Sequence, residues 1–233
     1  MNRERLIQPN DGMLINAADC IEHRHPTTAD LLAAEFRART LSSFREQSPT
    51  SISANCDKSF HARKTSGLRP LSVIDLNVIH SEESATAISA ASWFENPRAQ
   101  GSAHLCIDDN ICYRTLDDDE IPWAAPGANY HGLHYEQAGF AGWARTIWET
   151  KHRQTIIRTA YKIAYHSRKY GIGVRWLSAD QLRAGIRSGT TSHAECTKAF
   201  GGTHTDPGAG YPRRLLMTLV RAFYYTAFLR EVR

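Results

Sequence analysis

The segment at positions 190–212 carries residues that could bind a metal ion. It contains His193 and Asp206, with Asp206 in a Thr-Asp-Pro-Gly turn, and His204 two positions before that aspartate. Imidazole and carboxylate groups are common zinc ligands, and a catalytic zinc uses three protein ligands while a fourth position stays open for water. Positions 193 and 206 supply two ligands, so a third must come from another part of the chain.

His80 is the best candidate for the third ligand. It ends an apolar run at positions 72–80, and a strand can hold its terminal side chain rigidly at a sheet edge. Cys196 is an alternative ligand, because it follows His193 by three positions and a helix could present both side chains to one ion. Taken singly, such residues are more often structural: an aspartate before Pro-Gly, for example, commonly forms a turn.

Composition limits the function classes. The chain has 233 residues, 42% of them hydrophobic, which predicts one domain of ordinary size with room for an appendage. No run of about 18 apolar residues occurs, so no membrane contact is expected. The N-terminal residues lack the apolar stretch of a secretory signal, which predicts synthesis in a bacterial host cytoplasm. A mild excess of 28 basic over 24 acidic residues would favour an anionic partner, such as a cell-wall polymer or a nucleic acid, but most of it is expected to be ordinary solvated surface.

The cysteines predict a reducing environment. There are five, an odd and scattered set: Cys20, Cys56, Cys106, Cys112 and Cys196. This is not the spacing of a disulfide framework, and it fits a protein that folds in a reducing compartment. Cys106 and Cys112 could face each other across a hairpin, but free thiols in the core or at a strand edge are the favoured interpretation.

Positions 1–57 and 58–233 differ in character. The first region has a helix start at 26–30, apolar residues at 31, 32, 36 and 41, and then small polar residues at 48–59 that indicate a linker. We expect this N-terminal extension to be partly helical or disordered. The second region is predicted to be a single catalytic domain.

The second region alternates strand and helix patterns. Strands are predicted at 73–79, 103–108, 111–116 and 132–138, and the first is apolar on both faces, as in the interior of a covered sheet. Helices are predicted at 84–95, 143–170, after a capping box at 178–181, and at 213–229, with a loop at 120–129. The 143–170 helix is the most basic, and its cations are predicted to be solvated. These elements indicate an α/β fold with a mixed central β-sheet flanked by helices.

Five motifs follow one another between positions 60 and 223. They are Val-Ile-His-Ser at 78–81, Ala-His-Leu-Cys-Ile-Asp at 103–108, Trp-Ala-Ala-Pro-Gly-Ala-Asn at 123–129, Leu-His-Tyr-Glu at 133–136, and His193 followed by His-Thr-Asp-Pro-Gly at 204–208. In this order they resemble the zinc-dependent N-acetylmuramoyl-L-alanine amidases of the amidase-2 type, which include phage endolysins and peptidoglycan recognition proteins. Ser-His-Ala-Glu at 192–195 and Phe-Gly-Gly at 200–202 are most similar to lysins of phages that infect actinobacteria.

The resemblance implies a role for each matching residue. The family's own motifs are Ala-His-Tyr-x-Ile-Asp, Trp-His-Ala-Gly…Asn, Ile-Gly-Ile-Glu and His…Lys-Thr-Asp-Pro-Gly. It implies Zn²⁺ held by His80, His193 and Asp206, with Asp206 preferred over Cys196. Glu136 matches the catalytic acidic residue. His204 occupies the place of a catalytic lysine, and the matching substrate-binding residues are His104, Trp123 and Asn129.

Two departures from the family pattern affect the expected chemistry. Ala124 stands where many members have histidine, so one contact to substrate or ligand is missing. His204 replaces lysine, and because imidazoles lose their charge near neutral pH, we predict activity that falls more steeply at alkaline pH than in a lysine-bearing relative.

The resemblance implies hydrolysis of the amide bond between N-acetylmuramic acid and L-alanine in bacterial peptidoglycan. The expected protein is a bacteriolytic endolysin of a bacteriophage or prophage, monomeric, and active on the cell wall after its release. An alternative is a recognition module that binds peptidoglycan without cutting it. Nucleic-acid binding through the basic helix is a weaker alternative, because no aromatic-basic motif accompanies that helix.

Overall fold

The computed structural model describes residues 55–231. A six-stranded sheet lies at the centre, with β1 (Lys58–Ser59), β3 (Leu76–Ser81), β4 (Leu105–Ile107), β5 (Cys112–Arg114), β7 (Gly132–Gln137) and β8 (Gly189–Ser192) in the order β1-β5-β4-β7-β3-β8. Neighbouring strands are parallel, except for the antiparallel pair β4 and β5. Strands β2 (Thr65–Leu68) and β6 (Glu120–Pro122) form a separate antiparallel ribbon. The predicted helix start at 26–30 and Cys20 lie outside the described residues.

Helices cover both faces of the sheet. They are α1 (Ala87–Glu95), α2 (Arg145–Thr150), α3 (Arg153–Tyr170), α4 (Ala179–Arg183), α5 (His193–Phe200) and α6 (Arg213–Glu231). Helices α3 and α6 pack on one face, while α1, α4 and α5 pack on the other. The predicted α/β fold with a mixed central sheet flanked by helices is confirmed. No helix in the described part of the chain is both long and apolar enough to cross a membrane.

Strand β3 occupies the interior of the sheet and is buried along its whole length. Ile79 packs on the side of α3 and α6, whereas Leu76 and Val78 pack on the side of α4 and α5. Because side chains alternate along a strand, His80 shares the face of Val78. The strand begins three residues later than predicted, since residues 71–73 form a 3-10 turn.

The other predicted strands are confirmed at shorter lengths. The segments at 103–108 and 111–116 become the hairpin of β4 and β5, and 132–138 becomes β7. The loop prediction for 120–129 is wrong for its first three residues, which form β6. Pro122 sits at the end of that strand, opposite Thr65 of β2, where a proline is tolerated.

The prediction of one helix over 143–170 is wrong, because the chain forms α2 and α3 with a break at His152. Asp109 causes the new start: its Oδ1 accepts the backbone N–H of Thr155 at 2.8 Å and the hydroxyl of Thr155 at 2.9 Å. His152 Nδ1 lies 3.1 Å from Asp109 Oδ2, and its ring stacks on Trp143 at 4.3 Å. The contacts with Asp109 come from a hairpin more than forty positions away, which periodicity cannot detect.

The prediction that the cations of this helix are solvated is wrong for two of them. Arg158 and Lys162 are buried. The Arg158 guanidinium donates to the carbonyl of Asp109, and Lys162 Nζ donates to the carbonyl of Asn55 at 2.7 Å. Lys169 bonds the Asp118 carboxylate at 2.8 Å. These cations fasten α3 to the neighbouring segments.

Two cysteines expected to be free thiols form a disulfide, Cys56–Cys112. The parallel pairing of β1 with β5 brings them together, with the N–H of Asp57 donating to the carbonyl of Cys112 at 2.9 Å. Cys106 faces Tyr113, so its suggested approach to Cys112 across the hairpin is also wrong. Residues 55–57 thus contact the sheet already, and the domain division at 57/58 stays a prediction.

Candidate metal centre

Three side chains converge at one edge of the sheet. His80 Nδ1 lies 3.1 Å from His193 Nδ1 and 3.2 Å from Asp206 Oδ2. His193 Nδ1 lies 3.1 Å from Asp206 Oδ1. All three residues are buried and offer one ligand atom each to a common point. These are the three residues that the sequence nominates as zinc ligands.

The separations suit a single tetrahedral ion. Ligand atoms about 2.0–2.1 Å from zinc, at tetrahedral angles, lie roughly 3.3 Å from one another. Burial lowers the pKa of His80, which favours the neutral imidazole that a metal requires. Burial raises the pKa of Asp206, but hydrogen bonds with His193 and His80 outweigh that effect and hold the pKa well below its usual range. The donor set of two imidazoles and one carboxylate therefore fits a zinc ion.

Strand pairing explains why the two histidines meet. β3 and β8 are parallel neighbours, and Ile79 lies opposite Ser192. The residue that follows each of these two positions, His80 or His193, therefore lies at the same carboxyl-terminal edge of the sheet, where α/β folds bind their ligands. Ser192 is the N-cap of α5, so His193 is held in the first turn of a helix.

Asp206 approaches from the loop between α5 and α6. Its carbonyl accepts the N–H of Ala194 at 2.9 Å, which ties the loop to α5, and its peptide bond to Pro207 is cis. The alternative ligand Cys196 is buried in the hydrophobic cluster that includes Leu76. Its thiol belongs to the core, and the ligand atom that meets the two histidines comes from Asp206.

Glu136 lies beside His80 on the neighbouring strand β7. Its Oε1 is 3.9 Å from His80 Nδ1, and its Oε2 is shielded from solvent without a hydrogen-bond partner among the described residues. Burial raises the pKa of Glu136 well above its usual value, and the nearby carboxylates of Asp206, Glu82 and Glu83 raise it further. A carboxyl whose pKa is raised in this way has a greater affinity for a proton than a carboxyl in water.

His204 lies at the open side of the centre. Its ring stacks on His193 with centroids 4.1 Å apart and an interplanar angle of 14°. Its Nδ1 is 3.5 Å from Asp206 Oδ1, and 63% of its side chain is exposed. The imidazole can therefore contact both the ligand set and a molecule bound above it.

A cleft of about 460 Å³ extends from the three ligands and is also lined by Glu136 and His204. The predicted substrate-binding residue Trp123 lies on its wall with 41% of its surface exposed, and Trp93 of α1 is 49% exposed there. Ala124, which replaces the family's histidine, also lines the cleft. The wall thus combines a polar end with two accessible indole rings.

Two predicted substrate-binding residues do not reach the cleft wall. His104 is 1% exposed, accepts the N–H of His134 on Nδ1 at 3.1 Å, and contacts Arg69. Asn129 Oδ1 accepts the N–H of Ala125 at 2.8 Å and so shapes the loop that follows Trp123. Both side chains make internal contacts and neither lines the cleft, so their part in substrate binding stays a prediction.

His134 is a neighbour of the centre that the motif comparison did not select. Its Nδ1 lies 3.0 Å from Nε2 of His80. Because side chains alternate along a strand, His134 and Glu136 lie on one face of β7. Only the register of β7 against β3, with Val78 opposite His134, shows that this face meets His80.

No family model matches this sequence, and no curated protein matches it. Among solved structures, the chain is similar to Staphylococcus aureus hydrolase AmiA in complex with its ligand, with a TM-score of 0.62 and 14% identity over 81% of this chain and 92% of that chain. It is also similar to a selenomethionine derivative of AmpD, with a TM-score of 0.51 and 14% identity over 70% of this chain and 93% of that chain. At such identities the likeness establishes a shared fold.

Proposed function

We propose that this protein is a zinc-dependent N-acetylmuramoyl-L-alanine amidase. The observation that carries the proposal is the convergence of His80, His193 and Asp206 within 3.1–3.2 Å of one another at the end of an open cleft. The motif order in the sequence supports the same family, and a structure with this fold is named a hydrolase. The bond cut is the amide between N-acetylmuramic acid and L-alanine in bacterial peptidoglycan.

His80 and His193 would hold the ion through Nδ1, and Asp206 through a carboxylate oxygen. When bound, zinc supplies a Lewis acid that polarises a carbonyl and lowers the pKa of water. Because the ligand atoms are buried and already close together, little reorganisation is needed to bind the ion.

Glu136 is the proposed proton carrier. Its raised pKa gives the carboxyl the proton affinity to accept a proton from the attacking water. The hydroxyl of that water adds to the lactyl carbonyl carbon, the C–N bond breaks, and the proton held on Glu136 passes to the nitrogen of L-alanine. Glu136 lines the cleft beside the proposed centre, with its Oε1 3.9 Å from His80 Nδ1.

His204 is proposed to hydrogen-bond the carbonyl oxygen as negative charge develops on it. Its ring is fixed by stacking on His193, while most of its side chain stays exposed toward the cleft. An imidazolium would fill the role of the ammonium in the family's usual lysine. This role is the reason for expecting a fall in activity at alkaline pH.

The cleft wall is proposed to bind the glycan and peptide parts of the substrate. Trp93 and Trp123 present exposed indole faces, and such faces suit the apolar sides of sugars and peptides. Trp123 is oriented by a 2.8 Å hydrogen bond from Nε1 to the hydroxyl of Ser66. His104 and Asn129 would act on this wall from beneath.

The biological setting follows from the sequence motifs. We propose an endolysin of a bacteriophage or prophage, made in the host cytoplasm, that acts on the cell wall as a monomer after release. The non-catalytic alternative, a peptidoglycan recognition module, is disfavoured because each ligand position and Glu136 carry a competent side chain.

Zymography on bacterial cell walls distinguishes hydrolase from recognition module. The wild type should clear the wall, His193→Ala should not, and His61→Ala, which removes an exposed imidazole outside the cleft, should clear it normally. Sedimentation of the wild type with intact walls, without clearing, would contradict the enzyme and favour the recognition module.

A further inference from the structure

The imidazole of His134 is buried directly behind the metal ligand His80. Its Nδ1 lies 3.0 Å from His80 Nε2, the nitrogen that points away from the other ligands. None of its surface is exposed, and the backbone carbonyl of Ala128 lies beside the ring as a hydrogen-bond acceptor. A Cβ built on Gly132 would lie 2.7 Å from Nε2 of His134, so the absence of a side chain at position 132 makes room for the ring.

The contact constrains where the protons can be. His80 Nδ1 faces His193 and Asp206, so it must carry a free lone pair if it is to bind an ion. The proton of a neutral His80 is then on Nε2, which must donate to an acceptor. The nearest acceptor is Nδ1 of His134, whose own proton is then on Nε2. A metal-bound histidine commonly donates its second N–H to a carboxylate, a carbonyl or water, which fixes the tautomer and the ring orientation.

We propose that His134 is a positioning residue that fixes His80 in the metal-binding tautomer through an imidazole–imidazole hydrogen bond. The inference rests on the proposed metal centre and adds a residue to it. The family motif that positions 133–136 resemble has glycine in place of His134. The hydrogen bond between the two imidazoles is therefore a feature of this chain and not of that motif.

His134 is itself held in place by its neighbours. Its backbone N–H donates to Nδ1 of His104 at 3.1 Å, and the two rings lie nearly parallel, with an interplanar angle of 15°. His104 Nε2 in turn lies 2.9 Å from Nη2 of Arg69 and 3.2 Å from the carbonyl of Glu120. Nδ1 of His104 is the acceptor in the contact with His134, because a backbone N–H can only donate. The buried His104 thus acts as a support that keeps His134 aligned with His80.

The test compares an acceptor with a non-acceptor at position 134. In His134→Asn the amide oxygen can occupy the place of Nδ1 and accept the hydrogen bond, whereas His134→Leu removes the acceptor. His134→Gln, whose amide reaches the place of Nε2 instead, is a second non-acceptor variant for use if His134→Leu does not fold. His166→Leu is the matched control, because it removes a buried imidazole that bonds Tyr135, whose side chain packs in the cluster with α3 and α6.

The measurement is the zinc dissociation constant of the full chain, by competition with a chromophoric chelator, together with the d–d absorption of the Co²⁺ form. Loss of a partner that orients a ligand typically weakens metal binding about 10–100-fold. We expect that loss in His134→Leu and His134→Gln with an altered Co²⁺ spectrum, recovery in His134→Asn, and an unchanged constant in His166→Leu.

Two outcomes would overturn the inference, and they differ in whether they also contradict the proposed amidase function. Equally tight zinc binding by the wild type, His134→Leu and His134→Gln would show that position 134 does not position His80, while the proposed amidase would stand. A wild type that binds no zinc would remove the metal centre, and with it both the proposed function and the role of His134.

Discussion

At the scale of single residues, the two carboxyl groups of the proposed centre, Asp206 and Glu136, differ in their affinity for a proton. Asp206 faces two imidazoles, and its pKa is kept well below the usual range. Glu136 has a shielded oxygen without a partner among the described residues, and burial raises its pKa well above the usual value. Two carboxyl groups with pKa values pushed in opposite directions can serve as ligand and as proton carrier respectively.

Replacing Glu136, the proposed proton carrier, tests this division of roles. Glu136→Gln keeps the shape of the side chain but cannot accept the proton, so we expect kcat to fall about 10²–10⁴-fold. The zinc content should remain that of the wild type, because Glu136 is not a ligand. Hydrolysis of cell-wall fragments and metal analysis on the same sample measure both. Glu149→Gln, on the surface of α2, is the control, and normal activity in Glu136→Gln would rule out the assigned role.

The histidine at position 204 predicts a pH signature. Imidazoles lose their positive charge near neutral pH, whereas a lysine ammonium keeps it. We expect wild-type activity to fall between pH 6 and pH 8.5, and the fall to be less steep in His204→Lys. Rates measured across that range for both proteins test the expectation, which a flat wild-type profile would refute.

At the scale of elements, the site depends on three strand ends and one loop. His80 and Glu136 lie near the ends of β3 and β7, and His193 directly follows β8. The carboxyl-terminal ends of these three strands lie at one edge of the sheet. The loop carrying Asp206 is tied to α5 through the N–H of Ala194. The rigid sheet positions the ligands, and a short loop closes the set.

The start of α3 should depend on one side chain of the hairpin. Asp109 accepts the N–H and the hydroxyl of Thr155 and pairs with His152. We expect Asp109→Ala to lower the free energy of unfolding by about 1–2 kcal/mol, as loss of a helix cap does. Urea denaturation gives the value. Asp180→Ala, which removes an exposed partner of Arg183, should cost far less, and equal effects of the two substitutions would show that Asp109 is no cap.

Local patterns in the sequence predict much of this architecture but not the contacts between distant segments. The apolar run before His80 and the strand pattern at 132–138 predict β3 and β7, and motif order nominates the three residues that converge at the edge of the sheet. The break at His152 escapes prediction because it depends on Asp109, and the disulfide escapes because it depends on the pairing of β1 with β5. The role of His134 required the register of two strands, which a single sequence does not contain.

At the scale of the whole molecule, the two faces of the sheet have different tasks. One face, under α3 and α6, holds the largest apolar cluster together with a buried polar chain in which Tyr135 bonds both Asn77 and His166. The other face carries the proposed ligands and opens to the cleft. The largest apolar cluster and the proposed metal centre thus lie on opposite sides of the same strands.

The buried His166 should make the fold sensitive to acid. Burial lowers its pKa to about 3, whereas an unfolded chain binds the proton at about pH 6.5. The folded-state pKa is depressed, so as pH falls below about 6.5 the unfolded state takes up a proton that the native state refuses. Stability is therefore lost between about pH 6.5 and pH 3, by up to roughly 1.4 kcal/mol per pH unit.

Urea denaturation at pH 7, 6, 5 and 4, with a chelator present to remove metal effects, measures this loss. His166→Gln should lower stability less at pH 4 than at pH 7, because it removes the group responsible. A constant difference between the two proteins across that range would contradict the assignment to His166.

The central claim is that His80, His193 and Asp206 hold one zinc ion that serves to cut a single type of amide bond. Metal analysis combined with mass spectrometry of digested peptidoglycan tests it most directly. We expect one zinc per chain in the wild type, and products in which the lactyl group of muramic acid is free and the stem peptide begins with an unblocked L-alanine. His193→Ala should lose both the zinc and the products. A metal-free wild type, or cleavage within the glycan or the peptide, would contradict the account.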